Sequence, residues 1–204
     1  MKVLVLGAAG GVGREAVVQA SAAGHEVTAF VRNPEAYTAP AGVRVAAGDA
    51  HDETSVRAAL AGQDAVLVCL NTHAGLAKSD ELTRMAAVIS DAMRAEGVRR
   101  IVVCASAGVD GELTGAVGKM VAFTLRNPLA DHHGALEHYR AEGFELTVAR
   151  PMGLSDDALR TDYRTDATGV PKGGRTIPRA SVAHFMVHAL SDPDTIGASV
   201  GIAL

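Results

Sequence analysis

A glycine-rich turn near the N-terminus constrains the fold of this chain more than any other feature. The run Gly7-Ala8-Ala9-Gly10-Gly11-Val12-Gly13 follows a short apolar segment, residues 3–6, and opens a segment with helical spacing that ends before Gly24. Glycine at positions 7, 10 and 13 allows a tight turn, close approach of a ligand to the backbone, and close packing of the helix on the strand. Free N–H groups at the start of that helix would bind a pyrophosphate. The pattern therefore predicts a dinucleotide-binding strand–turn–helix unit; its alternative is a tight turn without a ligand.

Strand and helix patterns alternate along the rest of the chain. Strands are predicted at residues 3–6, 26–31, 43–47, 65–70, 100–105, 145–149 and 199–203, and helices at 12–23, 53–61, 79–96, 115–141 and 181–190. The helical region 115–141 is expected to break at Asn127-Pro128, because proline cannot continue a helix. Such alternation predicts a single-domain α/β protein, a doubly wound Rossmann fold with a parallel sheet, over residues 1–204. A small C-terminal substrate-loop region is predicted at 151–178, with a short strand near Tyr163.

Length and composition exclude several classes of protein. The 204 residues are 48% hydrophobic, enough for a full globular core. A net charge of −4 and an aromatic content of 3% give no reason to expect nucleic acid or an anionic membrane as partner. The opening apolar run is too short for a signal peptide or a membrane span, so we expect a cytoplasmic protein with reduced cysteines. A small-molecule acceptor is the expected partner, and a monomer and a homodimer both remain open.

The residue after the second predicted strand bears on the choice of dinucleotide. NAD-specific sites usually place Asp or Glu there to bind the ribose 2′-hydroxyl. This chain has Arg32, whose guanidinium matches a 2′-phosphate in charge and geometry, and Arg14 could reach the same phosphate. We therefore expect NADP(H) as the cofactor; the alternative for Arg32 is a solvated surface arginine. Asp49, followed by Ala50, could accept a hydrogen bond from the adenine amino group or could simply cap a turn or a helix.

Loops at the carboxyl ends of the central strands are the expected site of the nicotinamide, since ligands of open α/β sheets bind there. The segments concerned are Leu70-Asn71-Thr72, Ser106-Ala107-Gly108 and Pro151-Met152-Gly153. Ser106 could hydrogen-bond a substrate or the carboxamide of the cofactor, and its alternative is a turn serine.

Several motifs together resemble the atypical short-chain dehydrogenases, and within them the NAD(P)H-binding, NmrA-like group that includes biliverdin-IX-beta/flavin reductase. They are Gly7-x-x-Gly10-x-x-Gly13, Gly24-His25, Val31-Arg32-Asn33-Pro34, Gly48-Asp49, Val103-Cys104-Ala105-Ser106-Ala107, Asp131-His132, Glu142-Gly143, Ala149-Arg150-Pro151 and Ile177-x-Arg179-x-x-Val182-Ala183. The resemblance implies NAD(P)H as cofactor, a serine near the nicotinamide at Ser106, and a histidine of the substrate pocket at His132. By its chemistry His132 could donate a proton or bind an anion; its alternatives are a helix-surface histidine, or His133 if the alignment is displaced by one residue.

One departure from the wider short-chain dehydrogenases decides what chemistry to expect. Those enzymes use a Tyr-x-x-x-Lys pair as the acid, whereas Tyr37, Tyr139 and Tyr163 are followed four residues later by alanine, glycine and alanine. Either another acid serves, or the substrate needs none, or there is no catalysis. We expect an NADPH-dependent reductase that transfers hydride to a conjugated acceptor such as a flavin, a quinone or a tetrapyrrole. A non-catalytic NADP(H) sensor of the NmrA-like kind is the alternative, and a nucleotide-sugar-type epimerase is disfavoured because the tyrosine is missing.

Three further patterns are interpreted as structural. Asp131, His132, His133 and His138 lack the spacing of a metal site, so no metal is expected. Cys69 and Cys104 end adjacent strands and are expected to be buried small hydrophobes rather than a redox pair. The apolar run 119–125 could be a pocket lid or a dimer face, but core packing is the favoured interpretation.

Overall fold

A buried apolar strand leads into the glycine turn and begins an alternation of strands and helices in the computed structural model, which describes residues 1–204. The strands are β1 (Lys2–Leu6), β2 (Glu26–Val31), β3 (Arg44–Ala47), β4 (Ala65–Val68), β5 (Arg100–Cys104), β6 (Glu145–Pro151), β7 (Gly153–Ser155), β8 (Arg164–Asp166), β9 (Thr176–Pro178) and β10 (Ser199–Ala203). The helices are α1 (Gly11–Ala22), α2 (Glu53–Leu60), α3 (Glu81–Glu96), α4 (Gly115–Thr124), α5 (Arg126–Ala141) and α6 (Arg179–Ala189), with short 3-10 helices at Pro34–Ala36 and Pro193–Thr195.

Eight of the strands form one sheet in the order β3-β2-β1-β4-β5-β6-β10-β8. All neighbours pair in parallel except β8, which runs antiparallel to β10. The order reverses at β1 and β4, and this reversal creates the crevice in which doubly wound folds bind ligands. The predicted α/β fold with a doubly wound parallel sheet is therefore confirmed.

Two apolar layers hold the helices against the two faces of the sheet. Side chains alternate along a strand, so Val3 and Val5 of β1 enter one layer while Leu4 and Leu6 enter the other. The first layer is closed by α1 and α6, and the second by α2, α3 and α5. Because β1 is buried on both faces, its sequence is a continuous apolar run rather than an alternating one.

The helical region 115–141 breaks at a different place from the predicted one. Leu125 separates α4 from α5, and Pro128 lies in the first turn of α5. A proline is tolerated there because the first N–H groups of a helix have no intrahelical acceptor. The expectation that residues 119–125 pack in the core is wrong as well: no residue of α4 is buried, and Met120 and Phe123 are 64% and 69% exposed.

The C-terminal segment contains three short strands, one of which is the last strand of the main sheet. The strand expected near Tyr163 is β8, while β7 and β9 pair with each other as a separate two-stranded sheet. The role of residues 151–178 in binding a substrate, and the assignment of the chain to one domain, stay predictions. None of the helices combines the length and apolar character needed to cross a lipid bilayer.

Candidate functional site

The glycine turn joins β1 to α1 with almost no space for side chains. Gly7 has a φ of +79°, and a Cβ there would lie 2.6 Å from the carbonyl oxygen of Cys69. A Cβ at Gly13 would lie 2.2 Å from the carbonyl oxygen of Gly7. Gly13 therefore allows α1 to pack directly on the turn, as its position in the motif predicts.

The first turn of α1 points uncapped backbone donors toward the carboxyl edge of the sheet. Its N-cap is Gly10, and no side chain caps the helix. The amides of Gly11, Val12 and Gly13 precede the first intrahelical bond, which Arg14 donates to Gly10. Free N–H groups and the positive end of the helix dipole suit an anionic group such as a pyrophosphate.

Arg179, which sequence reasoning named only within a motif, lies at this helix end. A Cβ at Gly11 would meet its Cδ at 2.5 Å and its Nε at 2.8 Å, so the side chain passes directly over the first residue of α1. The guanidinium donates to Asp156, 2.6 Å away and itself highly exposed. No local signal pointed to Arg179, because α6 reaches α1 only through the fold.

A cavity of about 230 Å³ opens beside the turn, between the carboxyl ends of β1, β2 and β4. Eight of the predicted cofactor residues line it: Gly7, Ala9, Gly10, Arg32, Asp49, Ala50, Leu70 and Asn71. His51, His73 and Glu81 line it as well and were not predicted. This is the position that the adenosine half of a dinucleotide takes in a doubly wound fold.

Four predicted cofactor residues at the start of α1 do not line that cavity. Gly11, Val12 and Gly13 belong to the start of α1, where only their backbone faces the turn, and the side chain of Val12 is buried in the core. Arg14 donates through Nε to the carbonyl of Ala9 at 2.9 Å and lies over the ring of Tyr37. Only its Nε is engaged by this bond, and the suggestion that Arg14 also reaches the 2′-phosphate stays a prediction.

Asp49 makes a turn contact and also lines the cavity. Its Oδ1 accepts a hydrogen bond from the His51 amide at 2.9 Å. The cap of α2 is the neighbouring carboxylate of Asp52, which accepts from the amides of Thr54 and Ser55. Asp49 therefore shapes the turn, and its second oxygen remains available to a ligand in the cavity.

Arg32, His73 and Glu81 form a hydrogen-bonded chain across the mouth of this cavity. The Arg32 Nη2 lies 2.7 Å from His73 Nε2, and His73 Nδ1 lies 2.9 Å from Glu81 Oε1. Glu81 Oε2 accepts from the His73 amide at 2.9 Å and from the Thr72 hydroxyl at 3.0 Å. These bonds lower the pKa of Glu81 to about 2, and the bond from the His73 amide has the largest effect.

A second, larger cavity of about 930 Å³ continues from the first, and Asn71 lines both. The predicted residues Thr72, Ser106, His132, Pro151 and Met152 all line it. Loops after β4, β5 and β6 form one wall, and α4 and the start of α5 form another. Its lining includes two arginines, Arg175 and Arg179, and contains no aspartate or glutamate. The cavity is therefore apolar for much of its surface, and Arg175 is its unpaired cation because Arg179 is paired with Asp156.

The structure distinguishes His132 from His133. His132 is partly buried and lines the large cavity, whereas His133 is exposed on the outer side of α5. Burial lowers the pKa of His132, and the nearby Asp131 opposes that shift only in part. His132 is therefore neutral near pH 7, so it can donate one hydrogen bond but does not hold a spare proton.

Asp131 fixes the position of His132 by capping another helix. Its carboxylate accepts from the amide of Leu82 at 3.1 Å and from the amide of Thr83 at 2.9 Å, in the first turn of α3. The Thr83 hydroxyl donates to the same carboxylate at 2.9 Å. Because α5 is held to α3 at this point, the ring of His132 is directed to the cavity rather than to solvent.

Ser106 is partly buried at the carboxyl end of β5. The only intramolecular bond of its hydroxyl is a long one, 3.3 Å, to the carbonyl of Ala107. The turn that follows is held by a buried ion pair between Arg150 of β6 and Glu112, and Glu112 also accepts from the amides of Gly108 and Asp110. The Ser106 hydroxyl is thus rigidly placed and free to bond a ligand.

The tyrosines and cysteines do not supply an acid or a nucleophile to the site. None of Tyr37, Tyr139 and Tyr163 lines either cavity. Burial raises the pKa of the Cys104 thiol to about 12 and that of Cys69 well above its usual range. Both cysteines are free thiols, partly buried and protonated at neutral pH, so neither is a reactive thiolate.

Comparison with known proteins gives this geometry a family context. A family described as NAD(P)H-binding matches residues 7–193. Among solved structures, a Rossmann-fold NAD(P)-binding family protein from Shigella flexneri is 27% identical, with 98% of this chain and 92% of that chain covered and a TM-score of 0.77.

Two more distant structures share the fold. A short-chain dehydrogenase/reductase from Veillonella parvula in complex with NADP is 20% identical, covering 100% of this chain and 94% of that one, with a TM-score of 0.82. An anaerobillin reductase from Escherichia coli O157:H7 is 21% identical, covering 98% and 97%, with a TM-score of 0.77.

Proposed function

We propose a function from the premise that this chain belongs to the NAD(P)H-binding family, whose match spans residues 7–193. The predicted membership of an NAD(P)H-binding family is confirmed, and the finer resemblance to the NmrA-like atypical short-chain dehydrogenases stays a prediction. Within that family, we propose that the chain is an NADPH-dependent reductase that transfers hydride to a conjugated acceptor. The observation that carries this proposal is the continuous pair of cavities that meet at Asn71.

The adenosine cavity supports NADP(H) as the cofactor. Arg32 lines it at the end of β2, where an NAD-specific fold would place an acidic residue. The one carboxylate from α3 in this cavity, Glu81, already accepts three hydrogen bonds, from the His73 amide, the His73 ring and the Thr72 hydroxyl. Its oxygens are therefore occupied rather than presented to a ribose hydroxyl. A structurally similar dehydrogenase binds NADP.

The large cavity supports a flat, conjugated and acidic acceptor. Its volume of about 930 Å³ falls within the range of ordinary small-molecule sites and leaves room for an acceptor beside the nicotinamide. Val117, Val121 and Leu154 supply apolar surface, and Arg175 supplies positive charge, whereas Arg179 is paired with Asp156. Flavins and tetrapyrroles combine an apolar ring system with acidic groups, whereas a neutral quinone would leave Arg175 without a partner.

The residues of this chain position the reactants and exclude water rather than provide a strong acid. Reduced nicotinamide supplies the hydride when bound. Ser106 would bond the carboxamide or the acceptor, and His132 would donate a hydrogen bond to the acceptor. The proton that accompanies the hydride comes from solvent, because His132 is neutral and no tyrosine lines the cavity. A conjugated acceptor suits this arrangement, since its reduced form spreads the negative charge before protonation.

Steady-state NADPH oxidation with a panel of flavins, quinones and linear tetrapyrroles tests the proposal. We expect turnover with an acidic conjugated acceptor and none with simple aldehydes or ketones. His132→Gln should lower kcat while leaving NADPH affinity unchanged, and the exposed His133→Gln serves as the matched control. Tight NADPH binding without turnover on any acceptor would contradict the reductase and would support the NADP(H) sensor.

A further inference from the structure

The hydrogen-bonded chain of Arg32, His73 and Glu81 contains a histidine whose ring is placed between a cation and an anion. Its Nε2 lies 2.7 Å from the Arg32 guanidinium and its Nδ1 lies 2.9 Å from the Glu81 carboxylate. The ring of His73 is 62% exposed and lines the adenosine cavity, so it is open to a ligand. No other side chain bridges Arg32 to the rest of the protein.

These two bonds determine the tautomer of His73. A guanidinium has only donors, so Nε2 must accept from Arg32 through its lone pair. A carboxylate has only acceptors, so Nδ1 must carry the proton that is donated to Glu81. With these two bonds, His73 carries its hydrogen on Nδ1 and a lone pair on Nε2.

We propose that His73 is the second ligand of the adenosine 2′-phosphate and that it takes up a proton when this phosphate binds. The proposal rests on the proposed use of NADP(H). It assigns to His73 the role of a specificity-determining residue beside Arg32.

The proton uptake follows from competition for Arg32. A phosphate at the end of β2 would accept the Arg32 Nη2 hydrogen that now goes to His73, because a charged acceptor is the stronger one. The lone pair on Nε2 would then face a phosphate oxygen, and two acceptors repel each other. A proton from solvent on Nε2 removes the repulsion and creates a new donor. The resulting imidazolium donates from Nδ1 to Glu81 and from Nε2 to the phosphate.

The charges around His73 favour this change. Arg32 approaches from the end of β2, Asp49 and His51 from the segment after β3, and Glu81 from the start of α3. His51 Nε2 lies 3.9 Å from Glu81 Oε1, farther than His73. The pKa of Glu81 is about 2, so its carboxylate is charged at every pH at which the protein would be assayed. A bare carboxylate would repel the phosphate, and an imidazolium between the two removes that repulsion.

The same carboxylate connects the cofactor to the acceptor cavity. Glu81 Oε2 accepts from Thr72, and Thr72 lines the large cavity, whereas His73 lines the small one. The segment 71–81 therefore forms part of both walls and is held by one carboxylate.

Calorimetric titrations of NADP⁺ and NAD⁺ in buffers of different ionisation enthalpy test the proposal. The number of protons taken up is measured for the wild type, for His73→Gln, and for His51→Gln, which removes a histidine of the same cavity that does not contact Arg32. The 2′-phosphate also titrates, with a pKa of about 6. The titrations are therefore run at about pH 8, where the phosphate is almost fully ionised both free and bound, so that the difference between the wild type and His73→Gln reports the imidazole.

We expect the wild type and His51→Gln to take up more protons with NADP⁺ than His73→Gln does, and the three proteins to agree with NAD⁺. We also expect His73→Gln to weaken NADP⁺ binding about tenfold while changing NAD⁺ binding by no more than about twofold, the loss of one hydrogen bond to a charged group. Equal proton uptake in the wild type and His73→Gln, or equal weakening of both cofactors, would overturn the proposal. These are binding measurements, so a protein that binds NADP⁺ in this way but reduces no acceptor would disprove the reductase and leave the role of His73 standing.

Discussion

The side chain of Arg179 passes over Gly11, the first residue of the helix after the glycine turn. A Cβ at Gly11 would lie 2.5 Å from the Arg179 Cδ, and the guanidinium is held by Asp156 at 2.6 Å. The positive charge of Arg179 is therefore placed where the uncapped amides of α1 already favour an anion.

Arg179→Met is expected to weaken NADPH and NADH binding by the same factor, about tenfold, because both carry the pyrophosphate and a charged hydrogen bond to phosphate is lost. Fluorescence titration of the reduced cofactors measures both affinities. Arg160→Met is the matched control, since it removes an exposed arginine that pairs with Asp162 outside both cavities. A loss of affinity for NADPH alone would mean that Arg179 contacts the 2′-phosphate instead of the pyrophosphate.

Arg32→Ala is expected to remove the preference for NADPH over NADH, lowering NADPH affinity at least about tenfold through loss of a bidentate charged contact. NADH affinity should change little, because its ribose lacks the phosphate. The ratio of the two dissociation constants is the measurement. Comparable affinities for both cofactors already in the wild type would contradict the assignment of NADP(H).

Gly13→Ala is expected to destabilise the protein by about 1–3 kcal/mol or more, the usual cost of overpacking, because its Cβ would lie 2.2 Å from the backbone oxygen of Gly7. Gly11→Ala should leave stability nearly unchanged, since its Cβ meets only the flexible side chain of Arg179. Urea denaturation compares the free energies of unfolding. Similar losses in both variants would show that the turn relaxes without cost.

Glu112→Gln is expected to cost about 3 kcal/mol of folding free energy, the low end of the penalty for breaking a buried ion pair from one side, because Arg150 keeps a second carboxylate partner in Asp110 at 3.4 Å. The side chains of Arg150 and Glu112 are 2% and 4% exposed, so water cannot replace the lost partner. The control on the same network is Arg140→Gln. Its pair with Asp110 is partly exposed and should contribute less than about 1 kcal/mol.

The measurement is the urea midpoint together with its slope. If Glu112→Gln and Arg140→Gln lowered the free energy of unfolding by equally small amounts, solvent would have to reach the turn after β5. That turn would then be too mobile to place Ser106.

His132 makes the folded state sensitive to mild acid. Burial lowers its pKa below the ordinary value of 6.5, so between the two values the unfolded chain binds more protons than the folded one. The neutral ring of His132 therefore stabilises the folded state fully above pH 6.5. This contribution to the free energy of unfolding is lost as the pH falls through the pKa of His132 in the folded state. Thermal unfolding between pH 5 and 7.5 should show this slope in the wild type and in His133→Gln, and a shallower slope in His132→Gln. An unchanged slope in His132→Gln would assign the sensitivity to another group.

Sequence reasoning succeeded where the relevant signal is local. The strands predicted at 26–31 and 199–203 match β2 and β10 residue for residue, because a buried strand between glycine or polar boundaries is a short-range pattern. It failed at α4, whose apolar run 119–125 has the composition of a core helix but lies exposed at the rim of the large cavity. Composition cannot reveal what an apolar face is packed against.

The residues of the candidate site also fall into a group that local patterns predicted and a group that they missed. Its predicted loop residues were found because the carboxyl ends of parallel strands meet at one edge of the sheet. The partners His73 and Glu81 were missed, since Arg32 and His73 are 41 positions apart and meet only when β2 and β4 flank β1. No spacing rule connects them.

The glycine turn shows which features the sequence determines and which features only the tertiary structure determines. The order of residues from Val3 to Gly13 was enough to determine a strand, a tight turn and a helix start that binds a dinucleotide, because steric limits on the backbone act over a few residues. Only the tertiary structure placed Arg179 over Gly11, directed His132 rather than His133 into the cavity, and joined Arg32 to Glu81 through His73. Those contacts join distant segments, and their geometry depends on how helices and strands pack, which local patterns do not record.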